Sequence, residues 1–293
     1  MLFQQIEQNK RKTVFFMLFF ALLVVAVGVA VSYAYAADPW SGLLITAVLM
    51  AVYLPLTYFT ASQQVLAMSG AREITEADNP QLYHIVEELT LAARLPMPKV
   101  YVIEDDSPNA FATGIKPEKA TVAFTTGLLT RLNREELEGV TAHELSHIRN
   151  YDIRLMTICI ALVGVITILV EYGTRFLYLR DNRNSQQKNN PILMVISILV
   201  IILAPLAAQF VQLAVSRNRE YLADASAVEI TRNSTGLKNA LIKISENPQK
   251  VKRATKATAA LYIANPLGKK RERTSLFSTH PPISERIARL EMM

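Results

Sequence analysis

Apolar residues fall along this chain in four long blocks, Val14–Ala37, Gly42–Thr60, Ile153–Leu179 and Ile192–Val215. A helix crossing a hydrocarbon core of roughly 30 Å needs about 20 residues at 1.5 Å each. Each block has that length, so four membrane-spanning helices are expected, arranged as two hairpins. The first two blocks carry no charge, whereas the third holds Glu171 and Arg175 four apart on one helical face. The fourth contains Gln209 and Gln212, whose amides need protein partners inside lipid.

Between the blocks the periods shorten. Asn79-Pro80 marks a helix start with Asn79 as cap, and Leu82, Ile85, Val86 and Leu89 give that helix one apolar face to about Arg94. Pro96 and Pro98 end it, and Lys99–Glu104 alternates as a strand does. A polar loop then reaches Asn109–Gly114. The β-favouring run Thr121–Thr125 predicts a second strand of a small sheet. Asn133 with Glu136 three residues on forms a capping-box pattern that opens the next helix.

Composition agrees with a membrane protein: 51% hydrophobic residues and a mean hydropathy of +0.21 are too apolar for an ordinary soluble chain. Ala34-Tyr35-Ala36 has the small residues of a signal-peptidase site, yet the apolar run before it exceeds the about 7–15 residues of a signal peptide. Lys10-Arg11-Lys12 precede the first block and no Lys or Arg occupies the Asp38–Ser41 turn beyond it, which predicts a cytoplasmic N-terminus. Two hairpins then divide the chain into a membrane hairpin (1–60), a cytoplasmic part (61–152), a second hairpin (153–215) and a second cytoplasmic part (216–293). The net charge of +6 is concentrated after residue 216, which suits equally anionic lipid at the cytoplasmic face and a solvated surface that keeps the domain soluble. No basic stripe interleaved with aromatics suggests nucleic acid. Cys159 is the single cysteine, so an intramolecular disulfide or a cysteine-built metal site is excluded.

The chemistry sits on the helix opened by Asn133, which carries His143-Glu144-Leu145-Ser146-His147. Two histidines at i and i+4 lie one turn apart on one face and can reach one metal ion, while the glutamate beside the first can reach a water on it. A catalytic zinc needs a third protein ligand and an open position. Only His84 and His280 remain, so a carboxylate is the natural source. Glu220 and Asp224, four apart after the fourth block, share a helical face, and Asp224 could accept the free ring N–H of His143.

These residues are where the chain resembles the HtpX family of membrane zinc peptidases, relatives of the eukaryotic membrane protease that processes CaaX-tailed proteins. The match involves His143–His147, Arg149-Asn150-Tyr151-Asp152, Asn109–Gly114, Arg219–Asp224, and Thr279-His280-Pro281-Pro282 with Glu285-Arg286-Ile287. The resemblance implies an α-helical membrane protein with four transmembrane helices and an α+β zincin-like metallopeptidase domain containing a small sheet. It implies one Zn2+ per chain on His143, His147 and Glu220, Glu144 as general base, Asp224 orienting His143, and Asn109 beside the substrate cleft. His280 has two readings, contact with the tetrahedral intermediate or a turn fixing the last helix; His84 reads as structural.

The implied task is stress-related clearance of misfolded or damaged membrane proteins at the cytoplasmic face of the cell membrane, with unfolded polypeptide as substrate. An extended substrate would pair with an exposed strand, for which Ala120–Thr125 is the candidate. An intramembrane protease is disfavoured by the charges flanking the motif, and a transporter by the lack of ionisable residues central in several spans. A non-catalytic zinc-binding membrane scaffold or sensor is the alternative, but it has no need of Glu144. The oligomeric state is not encoded in any of these features.

Overall fold

The computed structural model describes residues 39–163, 217–246, 249–255, 258–268 and 281–293, together with residues 7–25 except 9, 16 and 23, and residue 29. The third apolar block beyond residue 163, the fourth block, the outer loop between them and His280 lie outside the described residues. Glu171, Arg175, Gln209 and Gln212 lie there too.

The second apolar block forms helix α1 (Pro39–Ser69), which runs past the expected end at Thr60 because nothing in Ala61–Ser69 breaks a helix. Gly70 then turns the chain with φ +68°. Among the described residues, Leu43–Ser69 is the one helix long and apolar enough to cross a membrane. Leu44, Ile45, Val48, Val52 and Leu56 face outward, whereas Ala61, Val65 and Leu66 near its end are buried. There α1 meets the helical residues 152–163, the start of the third block, in one apolar cluster.

Four short strands follow: β1 (Arg72–Ile74), β2 (Lys99–Ile103), β3 (Ala110–Thr113) and β4 (Thr121–Thr125), ordered β1-β2-β4-β3. β1 and β2 pair antiparallel, β2 and β4 parallel, and β4 and β3 antiparallel. The two-residue period sends Val100, Val102, Ala110, Ala112, Val122 and Phe124 to one face. Ile103, Phe111 and Ala123 point to the other, against residues 152–163 and the end of α1. A sheet buried on both faces explains why Thr121–Thr125 is apolar without clean alternation. It also corrects the expectation that Ala120–Thr125 offers a free edge. β4 is an interior strand, and the outer edge of β3 is itself met by Tyr262 and Ile263, whose N–H donates to Ala110 O at 3.0 Å.

On the first sheet face lie α2 (Pro80–Ala93), capped as expected by Asn79, and α4 (Arg134–Arg149), preceded by the short α3 (Thr126–Arg131). Two helices from the later part of the chain, α5 (Arg217–Thr231) and α6 (Ser234–Glu246), pack against α4, and α7 (Ile283–Leu290) closes the group. Residues on both sides of the third and fourth blocks therefore build one helical layer. The α4–α6 crossing is close because glycines face backbone: a Cβ on Gly139 would stand 2.5 Å from Leu237 N, and one on Gly236 would stand 2.5 Å from Glu135 O. Gly139→Ala is expected to cost about 1–3 kcal/mol of stability, as overpacking does. The readout is the thermal midpoint of the detergent-solubilised chain, and an unchanged midpoint would refute close packing at this crossing.

Candidate metal centre

The capping box anticipated for α4 is present: Asn133 Oδ1 accepts from Glu136 N and Glu136 Oε2 from Asn133 N, each at 2.9 Å. Lys243 of α6 reaches the same carboxylate at 2.7 Å, which fastens the start of α4 to its neighbour. From Leu137 to Ile148 nearly every side chain of α4 is buried, and that burial fixes the rotamers of His143, Glu144 and His147.

The two imidazoles stand edge to face with Nε2 atoms 3.2 Å apart. Glu220, from the first turn of α5, brings Oε2 to 3.8 Å from His143 Nε2 and Oε1 to 3.6 Å from His147 Nε2. One atom from each of the three lies within 4.8 Å of the others, a set that could hold a metal ion. Asp224, one turn after Glu220, does not join this set. Its Oδ1 stands 2.9 Å from His143 Nδ1, on the far side of the ring. The side chains read from the sequence as ligands and as the carboxylate behind His143 are thus brought together.

Arg286 of α7 joins this cluster, a residue that motif reading left without a role. It is fully buried, donates from Nε and Nη2 to Asp224 at 2.9 and 2.7 Å, and lies 3.6 Å from Glu220 Oε2. Its Nη1 also donates to Ile263 O at 2.9 Å. The clue was its place in the Glu285-Arg286-Ile287 match, although a lone arginine in a short amphipathic helix reads as surface. Asn109 is buried as well. Its Nδ2 donates to Ala264 O at 3.1 Å and its Oδ1 accepts from Ala264 N at 3.3 Å, so its amide holds the segment lying along β3. His84 projects from α2 beside Glu76 and Glu87, half exposed.

The electrostatics are those of a site short of positive charge. Burial pushes the Glu144 carboxyl up to about 7, with the Glu220 charge adding to the rise and His147 and Arg286 opposing it. The backbone N–H of Ala112 on β3 opposes the rise as well, and no side chain among the described residues hydrogen-bonds either Glu144 oxygen. Burial works against a charge on His147, but the Asp152 hydrogen bond and the charges of Glu220, Asp152 and Glu144 outweigh it and hold the ring up at about 9. Burial, and then Arg286, keep His143 below its ordinary range. Burial likewise opposes ionisation of Asp224, yet Arg286 and His143 hold its carboxyl well below the usual carboxylate range.

The signature of Peptidase family M48 matches residues 76–293. A protein called "Protease HtpX homolog" from Ligilactobacillus salivarius strain UCC118 is 51% identical over 297 residues, covering 100% of both chains. One of the same name from Levilactobacillus brevis strain ATCC 367 is 50% identical over 299 residues, again covering 100% of both. The crystal structure of S. mikatae Ste24p aligns with 99% of this chain and 67% of its own at 18% identity and a TM-score of 0.47. With a family signature over most of its length and half-identical relatives along all of it, the chain belongs to peptidase family M48, among its HtpX-type proteases.

Proposed function

We propose that the chain is a zinc endopeptidase of the membrane that hydrolyses peptide bonds of unfolded or damaged membrane proteins at the cytoplasmic face. The observation that carries this reading is the buried set His143, His147 and Glu220 with the buried carboxylate of Glu144 beside it on α4.

The residues fit zinc. Two imidazole nitrogens and a carboxylate oxygen are a donor set of catalytic zinc sites, and a tetrahedral ion with bonds of about 2.0–2.1 Å holds two nitrogens roughly 3.3 Å apart. The Nε2 atoms here are 3.2 Å apart. Charge agrees too: Glu144, Glu220, Asp224 and Asp152 are buried carboxylates, against the buried guanidinium groups of Arg286 and Arg219. A divalent cation neutralises the excess.

Bound zinc supplies a Lewis acid that lowers the pKa of an attacking water to about 7 and polarises the scissile carbonyl. Glu144 takes the proton from that water on a carboxylate oxygen and returns it to the leaving amine nitrogen. Asp224 holds the Nδ1–H of His143, leaving Nε2 free to bind, and Arg286 keeps Asp224 ionised in its dry setting. Burial of the cluster excludes bulk water and strengthens each of these interactions.

Membrane substrates are favoured because α4 continues through a single turn into residues 152–163, the start of the third apolar block, and α5 follows the fourth. Four spans with a cytoplasmic site remain the topology supported by Lys10-Arg11-Lys12 and the apolar blocks. Glu144 is superfluous for a zinc scaffold, which weighs against that alternative.

The test is cleavage of an unfolded model protein by the detergent-purified chain. Activity is expected with zinc, to vanish on chelation and to return when zinc is restored. A chelator-resistant activity, or none under any metal supply, would refute the proposal.

A further inference from the structure

His143 has Asp224 behind it, and a similar arrangement stands behind His147 on residues that the reaction does not touch. Asp152 Oδ2 lies 3.1 Å from His147 Nδ1, and Asp152 Oδ1 lies 3.6 Å from Arg219 Nε. Asp152 is 1% exposed and Arg219 7%, so neither belongs to a solvated surface pair.

The backbone explains how Asp152 gets there. α4 ends at Arg149, Asn150 caps it, and Tyr151 adopts φ +59°, a region that a residue with a side chain rarely occupies. That single left-handed residue ends α4, and a new helical segment starts at 152, which puts the Asp152 carboxylate beside the imidazole one turn back on α4. The Tyr151 ring is covered by Lys10, whose Nζ is 4.9 Å from its centroid, so the turn is also held from the N-terminal part of the chain.

Arg219 immediately precedes Glu220 on α5. One guanidinium–carboxylate contact therefore joins the C-terminal end of the helix carrying His147 to the helix carrying Glu220. A ligating imidazole is oriented by whatever accepts its other ring N–H, and a carboxylate there both fixes the tautomer and makes the free nitrogen more basic.

We infer that Asp152, braced by Arg219, is a positioning residue for the metal centre: it holds the Nδ1–H of His147 so that Nε2 points at the site between His143 and Glu220. The two histidines are then set by two separate arginine-backed aspartates, Asp224 with Arg286 and Asp152 with Arg219. This rests on the metal-binding reading above. A rival role for Asp152, a charge pair that merely stabilises the α4 junction, would leave metal affinity alone.

The test uses the full chain in detergent, with zinc affinity measured by competition against a chromophoric chelator and site geometry by the visible spectrum of the cobalt-substituted protein. Asp152→Ala is expected to weaken zinc binding about 10–100-fold, the range for such orienting partners, and to alter the cobalt spectrum. Asp152→Asn keeps an acceptor oxygen toward Nδ1–H and is expected to recover part of the loss. Arg219→Gln should shift affinity in the same direction by less. If Asp152→Ala does not fold, Asp152→Asn against wild type carries the comparison, with weaker zinc binding expected.

Zinc binding and cobalt spectra identical to wild type in the folded Asp152 variants would overturn the inference, whatever their thermal midpoints. Glu220→Ala separates the two levels. If it weakens zinc while the Asp152 variants do not, only the positioning role fails; if Glu220→Ala also leaves zinc unaffected, the metal-centre reading fails with it.

Discussion

Glu144→Gln should leave zinc bound and the fold intact while peptide hydrolysis falls by about 10²–10⁴, the usual contribution of a general acid–base group. That loss corresponds to roughly 3–5 kcal/mol of barrier. Glutamine has the shape of the glutamate it replaces, and burial already pushes the carboxyl up to about 7. At neutral pH the metal-free site thus tolerates a neutral side chain at this position. A divalent cation alongside favours the ionised form, which is the form able to take a proton. Since Glu144 is outside the His143, His147 and Glu220 set, zinc stoichiometry should not change. The check is a turnover assay paired with metal analysis of the same preparation. A Gln variant that cleaves like wild type would remove Glu144 from the mechanism.

What could be read from the sequence was what depends on short range. The Asn79 and Asn133 caps, the apolar face of α2 and the i, i+4 histidines each lie within a few residues, and each reappears in the structure as anticipated. β3 carries no strand signature in the sequence, because Ala110–Thr113 is buried on both faces and shows no alternation. β1 has three residues and is held at the sheet edge by its pairing with β2 rather than by propensity. The mistaken free edge at Ala120–Thr125 has the same origin: strand propensity says nothing of which strand lies on either side, and β3 arrives from earlier in the chain to cover it.

The site divides along the same line. Glu220 and Asp224 share one helical face, so spacing alone does not rank them; the family resemblance implied their separate roles, and the packing of α5 across α4 sets one toward the Nε2 atoms and the other behind His143. Arg286 is the clearest limit. Its partner Asp224 is 62 residues away, and a cation with no exposed surface contradicts the ordinary reading of an arginine. It becomes intelligible once the buried carboxylates around it are counted, since burying them unpaired would cost more than burying the guanidinium with them.

Glu220→Ala should bind zinc more weakly than any variant of the orienting aspartates, by more than the about 10–100-fold expected when such partners are lost, because it removes a coordinating atom. Two effects oppose each other in the metal-free chain. Losing Glu220 takes a counter-charge from Arg286 and His147, but it also relieves repulsion with Glu144, and Asp224 still pairs with Arg286. The fold without metal is therefore expected to survive, and the difference should emerge only when zinc is added. A ligand that binds the folded chain at 100 times its dissociation constant stabilises it by about 2.7 kcal/mol. Wild type should show that rise in thermal midpoint at a zinc concentration where Glu220→Ala shows little or none. Glu220→Asp, one methylene shorter but still a carboxylate, should fall between them. If Glu220→Ala retains wild-type zinc stoichiometry and the full zinc-induced rise, the third ligand lies elsewhere and the centre described here is assembled differently.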